Sequence, residues 1–253
     1  MNDRIRIRAS LAVLLIDDFT GKIITAPGLT ASVDGDRKPI RKPEGFLVFT
    51  NLTDPTIRVT VEGPCYFREE QYVDMKSLDR SNPVFRIRMR PDRTYPLPEN
   101  TVRLTALLPP ESTCFVFYEK GNDSRKLLTD YEKGNANILL YQGDKEEMEG
   151  KTCCITGKNG GYEFLRLGRL TEREKGSYLL EKPLEQGYKK IGSRLYPVSV
   201  MRADGGKECF LPLKNHGQNE PEYTLILKKD GAVKEIRKRL VAGRDNRLDL
   251  RDI

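Results

Sequence analysis

Lys42-Pro-Glu-Gly-Phe-Leu-Val-Phe-Thr-Asn-Leu52 is the stretch whose reading decides the fold. Phe46, Val48 and Thr50 fall on one face of an extended segment there, and Leu47 and Phe49 fall on the other. Period-two spacing, bounded by Pro43, Gly45 and the polar turn Thr53-Asp-Pro-Thr56, predicts a β-strand and not a helix. The same rhythm continues outward in both directions. Leu11–Ile16 is apolar on both faces and reads as a central strand, and Ile57–Val61 alternates cleanly. Between them Asp17-Asp-Phe-Thr-Gly-Lys22 has turn chemistry, because Asp and Thr side chains bond nearby backbone groups and Gly21 supplies a left-handed position. Ile23-Ile24 begins a hairpin partner, Leu29–Val33 alternates, and Asp34-Gly-Asp36 marks a second turn. At the start, Ile5, Ile7 and Ala9 alternate with Arg4, Arg6 and Arg8, as in a half-buried strand or arm.

Short strands separated by turn residues predict an all-β sandwich. Asp18, Thr20 and Gly21, then Gly45, Phe46, Phe49 and Leu52, then Ile57, Val59 and Val61 follow a known order of turn and strand signals. On these residues, roughly 9–75 resembles the carboxypeptidase-regulatory-like (transthyretin-like) domains. Two departures stand: Ile23 replaces the proline usual after the turn, and Pro55-Thr-Ile57 replaces the usual Gly-x-Tyr entry to the last strand. The resemblance implies a β-sandwich. A sandwich of this type whose sequence reads as lacking a signal peptide looks like the accessory parts of phage-tail-like contractile injection particles, notably cap and baseplate-associated components.

Beyond the matched region, Arg68–Arg80 reads as a polar excursion and Val84–Met89 as a further strand. Pro91–Pro98 is a rigid crossing, since proline fixes φ and restrains its predecessor. Thr101–Leu107 alternates again, and Pro109-Pro110 is the best linker, which predicts a first domain over 1–110 and a second over 111–253. Ser112–Tyr118 and Arg125–Asp130 open a second sandwich. Strands at 149–155, 162–167, 176–180 and 195–201, set between glycine-rich turns, have the rhythm of a small barrel at about 137–201. Cys209–Leu213, Tyr223–Lys228 and Val233–Leu240 return to sandwich style, with Asp230-Gly231 as a hairpin turn. The order of Gly206–Leu213 and Glu222–Gly231 repeats that of Glu44–Leu52 and Ile57–Gly63. An internal duplication explains this, with chance likeness among strands as the alternative. The expected architecture is all-β: an N-terminal β-sandwich, then a second sandwich-type unit with an inserted small β-barrel.

The totals narrow the function. Lys and Arg number 44 against 37 Asp and Glu, a net charge of +7. Residues 1–110 hold 17 cationic against 14 acidic side chains and the rest 27 against 23, so neither half is a basic domain and nucleic acid is not an expected partner. The five cysteines, at 65, 114, 153, 154 and 209, are odd in number and have no Cys-x-x-Cys spacing. Adjacent Cys153 and Cys154 on a strand point to opposite faces, which suits neither a mutual disulfide nor a shared metal. Reduced thiols suit the cytoplasm. The run Leu11–Ile16 is too short for a signal-peptide core or a membrane span, so the expectation is a cytoplasmic protein or one released within a particle.

No catalytic constellation is readable. His216 stands alone in a polar loop, where exposure to solvent is the expectation over catalysis or metal binding. Asp17-Asp18 and Asp34-Gly-Asp36 lack the dense oxygen spacing of calcium loops and read as turn caps. Gly157, Gly160 and Gly161 lack phosphate-loop context and read as a hairpin. No cofactor or metal is expected. Arg86, Arg88, Arg90 and Arg93 form a basic stripe, either meeting an acidic partner or blunting an edge strand. Among the aromatics Tyr66, Phe67, Tyr72, Tyr95, Tyr118 and Tyr131, which fall in loops or linkers, the first three are the candidate binding platform. Packing between domains is the plainer use for such rings. The reading is a non-enzymatic structural adaptor that binds other protein subunits in an oligomeric assembly. A glycan- or cell-surface-binding module, with carbohydrate as its partner, is the alternative.

Overall fold

The computed structural model describes residues 9–252 apart from 35–36, 121–122, 142–147, 159, 171–175 and 204–205. The arm read at Arg4–Arg8 and the Gly35-Asp36 half of the second turn lie outside the described residues. Every regular element described is a strand, and no helix is long and apolar enough to cross a membrane. The chain divides into two compact units, one ending at Pro96 and the other beginning at Leu97.

The first unit holds β1 (Ala9–Asp17), β2 (Thr30–Val33), β3 (Ile40–Arg41), β4 (Phe46–Thr50), β5 (Thr56–Glu62), β6 (Glu69–Asp74) and β7 (Val84–Met89). They form two sheets, β3-β4-β1-β7 and β2-β5-β6. β1 runs antiparallel to β4, with Val13 opposite Leu47, and parallel to β7, with Leu15 opposite Ile87. The inward side chains of both sheets, among them Leu11, Val13, Leu47, Phe49, Val59, Val61 and Met89, make one core. As expected, Phe46 and Phe49 take opposite faces: Phe49 is buried and Phe46 half-buried. Gly45 enters β4 at φ +91°, where an added Cβ would stand 3.0 Å from Ile23 Cγ2. The excursion expected over Arg68–Arg80 contains β6 instead, because its residues complete a ladder with β5 in which Ile57 faces Val73.

The second unit holds a sandwich built from β8 (Val102–Leu107), β9 (Thr113–Phe117), β15 (Ser199–Arg202), β16 (Cys209–Leu213), β17 (Glu222–Lys229), β18 (Ala232–Arg239) and β19 (Asp245–Asp249). Its sheets are β15-β9-β17-β18 and β16-β8-β19. β8 pairs antiparallel with β16 and parallel with β19, so it belongs here. For that reason the division falls within the proline-rich crossing at Pro96-Leu97, and not at the predicted Pro109-Pro110. The likeness between the two stretches of sequence is positional: β16 and β17 take the places in this sandwich that β4 and β5 take in the first.

Between β9 and β15, which pair with each other, the chain leaves to build the inserted barrel. β10 (Asn137–Leu139), β11 (Thr152–Thr156), β12 (Tyr162–Leu170), β13 (Ser177–Leu180) and β14 (Arg194–Pro197) form a curled sheet in the order β10-β13-β12-β11-β14. Arg125 bridges Leu195 and Leu127 bridges Leu140, so residues 125–127 join the two edges of that sheet. Arg125–Asp130, expected in the sandwich, thus contributes to the barrel. Its core includes Leu127, Ile138, Cys153, Ile155, Leu167, Tyr178 and Leu195. The adjacent cysteines behave as strand geometry requires: Cys153 faces the barrel core, and Cys154 faces outward into a cluster with Phe117 and Ile226. That cluster docks the barrel on the outer face of β9 and β17. Phe115 stacks on Phe164 with ring centroids 3.9 Å apart, Phe117 meets Tyr196 at 5.7 Å, and the Lys228 ammonium lies 4.7 Å from the Phe164 centroid.

Candidate interaction site

The structure separates the predicted platform residues. Asp17, at the end of β1, is only 4 % exposed. Its Oδ1 accepts the backbone N–H groups of Phe19 (2.9 Å) and Thr20 (2.8 Å), which is the expected turn cap. Its Oδ2 accepts the hydroxyls of Tyr66 (2.8 Å) and Tyr95 (2.5 Å). The two rings meet edge to face at 5.4 Å. Burial, with the facing carboxylate adding to it, pushes Tyr95 up to about 12 and Tyr66 well above its ordinary value. Tyr66 is therefore spent on tying the turn after β1 to the segments beyond β5 and β7, and it offers no free ring. Tyr118 and Tyr131 are 8 % exposed and belong to the second sandwich core and the barrel core respectively. Of the three candidate rings only Phe67 (37 %) and Tyr72 (68 %) are exposed, and the Arg90 guanidinium lies 5.6 Å from the Phe67 centroid.

The arginines do not form an open stripe. The Arg88 side chain is 8 % exposed and sits 3.7 Å from Asp18. Arg90 is fixed to Glu69 by a 2.5 Å bond. Arg86 is half-buried on β7, while Arg93 is exposed in the crossing that follows.

The single histidine is not the solvent-exposed loop residue expected. Its ring stacks on Tyr118 at 4.2 Å, its side chain is 17 % exposed, and Nδ1 lies 3.9 Å from Asp123 Oδ2. Burial lowers its pKa, outweighing the opposing pull of Asp123, so the ring is a neutral packing element at pH 7. Among the described residues no group of three His, Cys, Asp or Glu side chains is placed to hold a metal ion. Burial also raises the Cys114 and Cys154 thiols to about 12, which suppresses the nucleophilic thiolate.

Two surfaces remain that sequence reading did not single out. At one end of the barrel a shallow cleft of about 420 Å³ is lined by Gly157, Lys158, Gln186, Tyr188, Lys189 and Ser193, among others. Gln186 Nε2 donates to the Tyr188 hydroxyl at 2.7 Å. Nearby Glu163 is buried, which raises its pKa, and one of its carboxylate oxygens accepts the Glu185 N–H. The second surface is β18. Among the described strands none pairs with its outer edge, and seven of its eight side chains are exposed, Ile236 being half-buried. Its alternation was readable, but its place at the edge of a sheet depends on topology.

Fold and surface together define a class, a two-sandwich all-β protein with one barrel inserted, in which β18 is the longest edge strand among the described residues. No protein-family model matches the sequence, and no curated protein is significantly similar to it.

Proposed function

We propose that the protein is a structural adaptor without catalytic activity, which joins other protein subunits through sheet edges and loops in a phage-tail-like contractile particle. The observation that carries this reading is the open edge of β18, eight residues long and unpaired on one side among the described strands. An exposed edge is a ready template for another chain's strand. The arrangement of the titratable groups supports the same reading. Asp17, Arg88 and His216 are engaged in local hydrogen bonds, an ion pair and ring packing, which is a structural use of these side chains. The resemblance of residues 9–75 to carboxypeptidase-regulatory-like domains supports the particle setting, in which the chain is made in the cytoplasm and released with the assembly.

Affinity isolation of the tagged chain from its own cells, followed by electron microscopy, tests the proposal. Particles of contractile-tail outline that contain the chain are expected. A monomer that brings down no other subunit in any growth phase would overturn it. The exposure of Tyr72 and Phe67 favours a second reading, a glycan-binding surface, from which Tyr66 is now removed. That reading requires binding on a glycan array that Tyr72→Ala abolishes.

A further inference from the structure

We infer that the outer edge of β18 binds an extended acidic segment of another protein, which adds to the sheet as a further strand. This rests on the adaptor reading and names the chemistry of one partner.

The geometry begins at the turn. Asp230 (φ +49°) and Gly231 (φ +80°) form a two-residue hairpin loop of the type that matches strand twist. Lys229 is therefore paired directly with Ala232, and the ladder continues without a bulge to Glu222 opposite Arg239. Hydrogen-bonded and non-hydrogen-bonded pairs alternate along an antiparallel ladder. The residues flanking a two-residue loop are a hydrogen-bonded pair, so Ala232, Lys234, Ile236 and Lys238 direct their backbone groups at β17. Val233, Glu235, Arg237 and Arg239 consequently direct theirs outward. Four successive docking positions for a partner backbone thus stand in a row, with no proline among them.

Charge selects the partner. β18 carries Lys234, Arg237, Lys238 and Arg239 against the single acid Glu235. On the outer face Arg237 and Arg239 are shared with Glu119, Glu235 and Glu222 of the same unit, at 3.2–3.9 Å. On the inner face Lys234 and Lys238 flank Ile236, which packs at the margin of the core. A strand laid against this edge with acid, apolar and acid side chains on one face would meet Lys234, Ile236 and Lys238 in order. Cations on an edge also repel a second copy of that edge: antiparallel self-pairing centred on Ile236 sets Lys234 opposite Lys238 twice. The device that discourages self-association thus leaves acidic segments as the preferred addition.

The test uses the full chain and a short capped, fluorescent peptide in which threonine alternates with glutamate, valine and glutamate. Fluorescence anisotropy should show saturable binding, weakened about tenfold or more by combining Lys234→Glu with Lys238→Glu, both exposed and so compatible with folding. A lysine-for-glutamate peptide should not bind. Neither should the acidic peptide N-methylated at alternate residues, which keeps its charge but cannot form the ladder. Absence of binding by the acidic peptide overturns the proposal, and so does full retention of binding by the N-methylated form. A native dimer in which β18 is protected from hydrogen exchange also overturns it, by showing the edge already occupied by a second copy. If the double variant still isolates the same subunits from cells as the native chain, the edge assignment fails while the adaptor reading stands. If neither isolates any, the adaptor reading fails.

Discussion

Six strands of the two sandwiches share one arrangement, while the extra strand joins the sheet of β4 in the first (β3) and the sheet of β9 in the second (β15), and the differences bear on how the second carries the barrel. In each, the first strand lies between an antiparallel and a parallel neighbour, β4 and β7 around β1, β16 and β19 around β8. Register aligns Val13 with Leu104, Leu47 with Leu211, Val59 with Leu225 and Met89 with Leu250, all of them core residues. On the outer face the correspondence in position persists while the chemistry changes. Ser32, Asp34 and Thr60 of the first unit stand where the second has Phe115, Phe117 and Ile226, the residues under the barrel. A polar outer face suits solvent. The same face made aromatic can hold an inserted module, because stacked rings contribute both buried area and geometry.

The largest expected effect lies where one core end is polar and the other apolar. Asp17 follows Leu15 along β1 as Leu108 follows Ala106 after β8, and Leu108 is buried in its core. Asp17→Leu would make the first unit like the second, but would orphan two phenols and two backbone N–H groups. A loss of about 3 kcal/mol is expected in the first transition of urea unfolding, with little change in the second. Asp17→Asn, which keeps an acceptor, should lose less. Losses well below about 1 kcal/mol in both variants would mean that Tyr66 and Tyr95 draw little from the carboxylate.

Phe115→Ser places the Ser32 residue type under the barrel. A half-buried stacked ring is removed, so about 2 kcal/mol is expected, with faster hydrogen exchange at β11 and β12. A double-mutant cycle with Phe164→Ala should give a coupling of about 1 kcal/mol. Additive effects would show that the stack does not dock the barrel. Smaller again is Gly231→Ala, which strains a φ of +80° and should cost about 1 kcal/mol by thermal unfolding. Its counterpart in the first sandwich is a longer link that needs no such turn.

Sequence reading captured the elements whose faces differ in polarity. β4, β5 and β17 alternate visibly, and Asp230-Gly231 has one favoured structural use. β6 was missed because Glu69-Glu-Gln-Tyr72 is polar on both faces, as an edge strand is permitted to be. The domain boundary was misplaced because the alternation of β8 does not say which sheet it joins. Arg125–Asp130 was assigned to a sandwich because isolated bridges, which join the barrel's edges there, leave no periodic trace. At the candidate site the failure was one of distance along the chain. Tyr66 and Tyr95 reach Asp17 across 49 and 78 positions, so rings that looked available in the sequence are bonded in the fold.

The smallest effect is one of pH, and it separates the units because the chain's only histidine lies in the second. Burial against Tyr118 depresses the pKa of His216; Lys214 adds to this and Asp123 opposes it. Above the ordinary histidine value of about 6.5 the ring is neutral whether the unit is folded or not, and it adds no pH dependence. Below that value the unfolded chain takes up a proton that the folded unit resists, so stability falls as pH falls. The second sandwich should therefore lose urea resistance between about pH 7.5 and 5.5 while the first holds nearly constant. His216→Phe, which keeps a ring against Tyr118, should flatten that slope at little cost at pH 7.5. If the slope persists in the variant, the proton binds elsewhere in the unit. If it reverses in the native chain, Asp123 outweighs burial and the ring is charged where it stacks.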